Sequence, residues 1–287
     1  MDYDSTEAAL FRPESRPALP VDASWSVDAR CAELARLAYV RAESDPAAEA
    51  ELRIALAAAG YGDIQLFFVP RTSGKPGPGL YAFGARDAAG RRFVAFRGTQ
   101  ADDRGDLIDD AQFLPRPWPG VGRVHRGFWR AYDSLRAPID GWLAAQPAGP
   151  LIVTGHSLGA AMATLMAGLH PDAELVTFGS PRVGGRAFAH AFAGRAVRRY
   201  VGCYDFVTNL PPPIWFRHVA KMHYVDRHGT VHSPPPGLLG RMVDRLIGDL
   251  AYLHRSGPRR GHVWLRTGAD HAPINYVAAV LGKRVGP

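Results

Sequence analysis

The feature that most constrains the fold of this chain is the pentapeptide Gly-His-Ser-Leu-Gly at residues 155–159. Residues 151–154, Leu-Ile-Val-Thr, follow Pro150 and read as a short buried strand, and residues 160–167, Ala-Ala-Met-Ala-Thr-Leu-Met-Ala, read as a helix that begins at once. So tight a turn brings the helix backbone against the strand, and glycine at 155 and 159 removes the side chains that would collide there. It leaves the Ser157 hydroxyl at a helix N-terminus, where amide dipoles favour developing negative charge. In a chain with 31 glycines the pentapeptide alone is weak evidence; its flanking strand and helix give it meaning. His156 reads as a packing residue beneath the turn.

The alternation continues on both sides. Helical patterns cover about 126–145, 158–169 and 184–193, interleaved with strand-like runs at 151–154, 174–178 and 197–203. Strand, helix, strand, helix implies a mostly parallel central sheet with helices on both faces, an α/β fold. Upstream lie strand-like runs at 64–69, 80–83 and 92–96, with a Gly/Pro turn at 73–79, and two Ala-rich helices at 27–41 and 47–59. Beyond Asp205 the pattern weakens across proline runs at 211–213 and 234–236, then resumes as a helix over 238–253. That helix places Leu239, Met242, Val243, Leu246, Leu250 and Leu253 on one broad face, and core packing is the default expectation for it.

A chain of 287 residues, 47% of them hydrophobic, suits one large domain, here 25–287. Residues 1–24, with Pro13, Pro17 and Pro20 among acids, read as a flexible N-terminal arm. The net charge of +7 is unevenly spread: residues 1–60 hold 11 acids against 6 bases, so the remainder stands at +12. Such a body favours anionic partners, including an anionic membrane surface, and no nucleic-acid motif claims it. Nearly all the bases are Arg in a chain also rich in Ala and Gly, so a composition bias accounts for the charge equally well. Cys31 and Cys203 fit no metal or redox spacing and exclude a disulfide-built fold. The opening Met-Asp-Tyr-Asp-Ser-Thr-Glu lacks the basic start and apolar stretch of a signal peptide, and no later run is long enough to cross a bilayer. The expectation is a cytoplasmic protein, or one exported without a cleaved signal.

Four blocks resemble, in order, the class 3 (fungal-type) lipase family of the α/β-hydrolase superfamily. They are Val-Ala-Phe-Arg-Gly-Thr at 94–99, Val-His-Arg-Gly-Phe at 124–128, Thr-Gly-His-Ser-Leu-Gly at 154–159 and Thr-Phe-Gly-Ser-Pro-Arg-Val-Gly at 177–184. Weaker matches follow at 199–205 with 210–212, and at Asp270-His271 with Tyr276. The resemblance implies an α/β-hydrolase fold and an ester hydrolase acting on lipid substrates through an acyl-enzyme, without a cofactor or metal. It makes Ser157 the nucleophile and Asp205 the acid that steadies the base. Seven histidines follow Asp205, at 218, 223, 228, 232, 254, 262 and 271. His271 is favoured, after an apolar run and before a helix, with His218 and His223 as runners-up. The oxyanion hole falls to Leu158 and Thr99, the latter serving through both amide and hydroxyl.

The family's lid corresponds to residues 100–110, where five aspartates accompany only Leu107 and Ile108 as large apolar groups. So acidic a segment predicts weak interfacial activation, and its spacing does not resemble a calcium loop. The helix at 238–253 would, on this reading, have an alternative use as an acyl-chain wall or second flap. Two other functional classes stay open: a lipase-like binding or signalling protein without catalysis, whose mark is a broken triad, and an antibacterial phospholipase effector.

Overall fold

The computed structural model describes residues 3–21, 24–69, 79–99, 114–255 and 259–282. The expected lid at 100–110 and all but the last residue of the expected turn at 73–79 lie outside these. In chain order the elements are α1 (Glu7–Phe11), α2 (Val27–Leu37), α3 (Pro46–Ala58), β1 (Tyr61–Val69), β2 (Leu80–Asp87) and β3 (Arg92–Phe96). Next come β4 (Pro115–Pro117), β5 (Arg123–His125), α4 (Arg126–Ala145), β6 (Leu151–His156), α5 (Leu158–Leu169), β7 (Glu174–Phe178) and α6 (Arg186–His190). The chain closes with β8 (Val197–Gly202), β9 (Met222–Val225), β10 (Val231–His232), α7 (Leu238–Arg255), α8 (Arg266–Ala269) and α9 (Pro273–Val280).

Eight strands form one sheet in the order β1-β2-β3-β6-β7-β8-β9-β10. The five from β3 to β9 run parallel, and the pairs at the two ends are antiparallel. Strand side chains alternate between two cores. Phe93, Ala95, Ile152, Val176 and Phe178 face α2 and α9 on one side. Val94, Phe96, Val153 and Leu175 face α4 and α5 on the other. The helices therefore cover both faces of a mostly parallel sheet.

Some boundaries differ from the sequence expectation. Strand β1 starts three residues early because Tyr61 is buried, its ring edge-on to Phe93 at 5.4 Å. Helix α2 ends at Leu37 as its last turn tightens, Tyr39 N–H donating to the Arg36 carbonyl and Val40 N–H to Leu37. Helix α6 is short because Gly184 and Gly185 are already hydrogen-bonded, to Arg217 N–H and the Arg123 carbonyl, at 2.7 and 2.8 Å.

Two expectations are overturned. Residues 3–21 are not a loose arm: Arg36, buried in α2, is doubly bonded to Glu33 and donates to the carbonyls of Pro13, Arg16 and Pro17. The Asn275 side-chain amide holds the Asp4 backbone by two hydrogen bonds, accepting from its N–H and donating to its carbonyl, and Thr6 bridges to His262. Backbone carbonyls satisfied by an invading guanidinium are a device that proline-rich composition does not reveal.

The second concerns α7, which does not turn its apolar face to the core. Asp244, Gly248 and Tyr252 are its buried residues. Asp244 accepts from Tyr224 and from Arg227, both at 2.7 Å; Gly248 lies against the Arg266 guanidinium; Tyr252 donates to the Val263 carbonyl. These polar anchors fix the helix by its narrower side and leave the broad apolar side outward.

Candidate active site

Four neighbouring parallel strands, β3, β6, β7 and β8, deliver the site from their carboxyl ends, where open α/β sheets bind ligands. Ser157 follows β6 at once, with φ +58°, a conformation costly for a residue bearing a Cβ. The surroundings over-determine it. Its N–H donates to the Phe178 carbonyl at 3.1 Å, and its carbonyl accepts from Ala160 N–H at 3.0 Å as α5 begins. A Cβ on Gly155 would run into the Gly159 backbone, and one on Gly159 into the Phe96 carbonyl, so neither position admits a larger residue.

The structure brings Ser157, His271 and Asp205 into one hydrogen-bonded chain. His271 Nε2 lies 2.9 Å from Ser157 Oγ, and Nδ1 lies 2.8 Å from Asp205 Oδ2. A carboxylate accepts, so Nδ1 carries the hydrogen and Nε2 is free to take the serine proton. All three residues are buried. Asp205 also accepts from Tyr276 OH at 2.5 Å and from Val207 N–H at 2.9 Å. Burial, then the Asp205 charge and the hydrogen bond to it, hold the Tyr276 phenol well above its usual range, so it stays a donor. Tyr276 OH in turn accepts from Gly202 N–H at 2.8 Å, tying α9 to the end of β8.

The other histidines after Asp205 are placed elsewhere. His218 Nε2 donates to the Thr208 carbonyl at 3.0 Å, and burial, then Arg199 and Arg182, push it down to about 2. His223 stacks on Tyr200 at 5.1 Å; His232 pairs with Asp226 and His262 with Ser5.

Thr99 and Leu158 line the same cavity as Ser157 and His271. Leu158 is the first residue of α5, so its N–H has no intrahelical acceptor and stays available. The Thr99 hydroxyl oxygen is buried and has no hydrogen-bond partner among the described residues. The Thr99 hydroxyl and the Leu158 N–H are therefore two donors not engaged by an acceptor among the described residues, on residues that line the cavity beside Ser157. The cavity has a volume of about 650 Å³ and is walled mainly by apolar groups, among them Phe128, Phe206, Leu210, Val263 and Trp264. Among the described residues no group of three or more His, Cys, Asp or Glu side chains stands where it could hold a metal ion.

His156 does more than fill space. Its Nε2–H donates to the His271 carbonyl at 2.8 Å, and its Nδ1 accepts from Tyr39 OH at 2.8 Å. Burial, and then the neighbouring His271, hold its pKa well below the usual value, so the ring stays neutral. Tyr39 and His156 thus fix the backbone that carries His271. Sequence reading passed over Tyr39, 117 residues away, because no local pattern records so distant a pairing. Asp270, fully buried, does the same for the other side of that loop, accepting from Tyr3 OH at 2.9 Å and Tyr204 N–H at 3.0 Å.

A strand-turn-helix serine, a histidine and a carboxylate in that chain order, on a mostly parallel sheet, define an α/β-hydrolase. A family model described as Lipase (class 3) matches residues 93–215, which include Ser157 and Asp205. A lipase of Rhizomucor miehei is 32% identical over 160 residues, covering 50% of this chain and 42% of that one. The secreted mono- and diacylglycerol lipase 1 of Fusarium solani is 35% identical over 114 residues, covering 36% and 34%. The crystal structure of a lipase from Rhizopus microsporus var. chinensis superposes with a TM-score of 0.54 at 25% identity, covering 72% of this chain and 80% of that one. Over residues 93–215 the chain is thus similar to the class 3 lipases. It spans less than half the length of the Rhizomucor and Fusarium relatives.

Proposed function

We propose that this chain is a serine hydrolase that cleaves carboxylic ester bonds of lipid substrates through an acyl-enzyme. The observation that carries the reading is the Ser157–His271–Asp205 hydrogen-bond chain, whose serine and histidine line a largely apolar cavity of about 650 Å³. An acyl chain fits such walls, which would exclude water from the reacting carbonyl. Ser157 Oγ attacks that carbonyl while His271 Nε2 takes its proton, and Asp205 steadies the resulting imidazolium. The carbonyl oxygen becomes an anion held by Leu158 N–H and by Thr99, whose unpartnered hydroxyl suits an acceptor that arrives with the substrate. Collapse expels the alcohol, protonated by His271, and leaves the acyl group on Ser157. Water, deprotonated by the same histidine, then releases the acid and restores the serine.

The intact hydrogen-bond chain argues against a binding or signalling protein that has lost catalysis. The test is a panel of short- and long-acyl esters with phosphatidylglycerol and phosphatidylcholine. Ser157→Ala is expected to lower kcat by about four orders of magnitude or more. Activity surviving in Ser157→Ala would overturn the mechanism, and full activity in His271→Ala would move the base elsewhere.

A further inference from the structure

We propose that the outward face of α7, together with Trp264 and Leu265, docks this protein on a lipid surface bearing anionic head groups and sets the cavity mouth against it. Eight large apolar residues of this 18-residue helix, Leu238, Leu239, Met242, Val243, Leu246, Ile247, Leu250 and Leu253, are 44–75% exposed. Soluble surfaces rarely leave so continuous an apolar stripe uncovered. The exposure does not come from a detached helix, because Asp244, Gly248 and Tyr252 hold the other side down. An amphipathic helix fixed in that attitude is suited to lie in a membrane interface. It is not suited to span one: no helix among the described residues is long and apolar enough to do so.

The stripe leads to the cavity. Tyr252 is bonded to Val263, and Gly248 lies against Arg266, so α7 grips both ends of the dipeptide between them. That dipeptide, Trp264-Leu265, is 71% and 66% exposed and lines the cavity. On a second path Arg245 binds the Cys203 carbonyl at 2.8 Å and sits over the Tyr204 ring, two residues before half-exposed Phe206, another cavity residue, 6.0 Å from the His271 ring. A lipid entering along this surface would meet apolar groups all the way to Ser157.

Charge selects the occupant. Residues 250–269 contain no acid, and Arg255, Arg259 and Arg260 are exposed at the C-terminal end of the stripe. Anionic head groups complement that border. A second copy does not, because residues 237–269 offer only Asp244, already engaged, and Asp249 to meet it.

The inference rests on the proposed ester hydrolysis only for what the docked cavity would take up; adhesion itself needs no turnover. The test is co-sedimentation with vesicles of phosphatidylcholine, alone or mixed with phosphatidylglycerol, read beside hydrolysis of a short soluble ester. Wild type and Ser157→Ala are expected to bind the mixed vesicles, more weakly as salt rises. Leu246→Asp/Leu250→Asp is expected to bind about tenfold less or worse, with soluble-ester hydrolysis unchanged. Arg259→Glu/Arg260→Glu is expected to lose the preference for phosphatidylglycerol. Equal vesicle binding by the leucine variant overturns the proposal. So does a wild type that ignores vesicles, or one that forms a dimer which the leucine variant dissolves. Vesicle binding without any ester hydrolysis would instead refute the proposed activity and leave the docking face standing.

Discussion

A Cβ at Gly179 would sit 2.7 Å from Asp205 Oδ2 and 3.0 Å from the His271 ring, in a backbone with φ +58°. Gly179→Ala must therefore move the carboxylate or the imidazole. We expect kcat/KM to fall by about a hundredfold and stability by about 1–2 kcal/mol, measured by steady-state kinetics and urea unfolding. Unchanged kcat/KM would mean that the pair tolerates displacement. Tyr276 acts through Asp205, and Tyr276→Phe removes one hydrogen bond from the carboxylate and leaves Gly202 N–H without its acceptor. Here kcat is expected to drop about tenfold with KM nearly constant, since the substrate touches neither group. A rise in KM with constant kcat would place Tyr276 in binding instead. The turn glycines and the serine are legible because their constraints are local to five residues. Tyr39 and Gly179 are not legible as residues: what they touch is set by strands that meet only in the folded sheet.

At the scale of elements, periodicity marked most helices and strands well, because burial on a sheet face or a helix stripe imposes a period that the chain must carry. Periodicity names an apolar face without saying which way it points. That is why α7 was expected inward and stands outward. Composition misled in the same manner over residues 3–21, whose carbonyls are satisfied by Arg36 from another element. Arg36→Met would remove the donor to those carbonyls and leave the Glu33 charge buried without its cation. We expect a loss of about 3–5 kcal/mol in urea unfolding, a large share of an ordinary domain's stability. Faster proteolysis within 12–21 should accompany it, and a variant with wild-type stability and protection would show that the clamp is dispensable.

Over the whole molecule, two cores flank one sheet and the titratable groups buried among them couple its stability to pH. His125, His156 and His218 are held neutral, chiefly by burial, with His125 lowered to about 4 and His218 to about 2. In the unfolded chain each returns to about 6.5. Above that pH neither state binds the proton and these histidines leave stability unchanged. Below it the unfolded chain takes up protons that the folded protein refuses, so stability falls with pH and goes on falling until each folded pKa is reached. Each histidine contributes a slope of about 1.4 kcal/mol per pH unit in its window. Between about pH 6.5 and pH 5 His125 and His218 together would remove roughly 3 kcal/mol, and His156 adds to the loss in the same direction, a large share of a modest domain's stability. Urea unfolding across that range measures the slope directly. His218→Gln, which keeps a donor for the Thr208 carbonyl, should reduce it by about one proton; a flat profile in the wild type would mean that these rings gain their protons without unfolding.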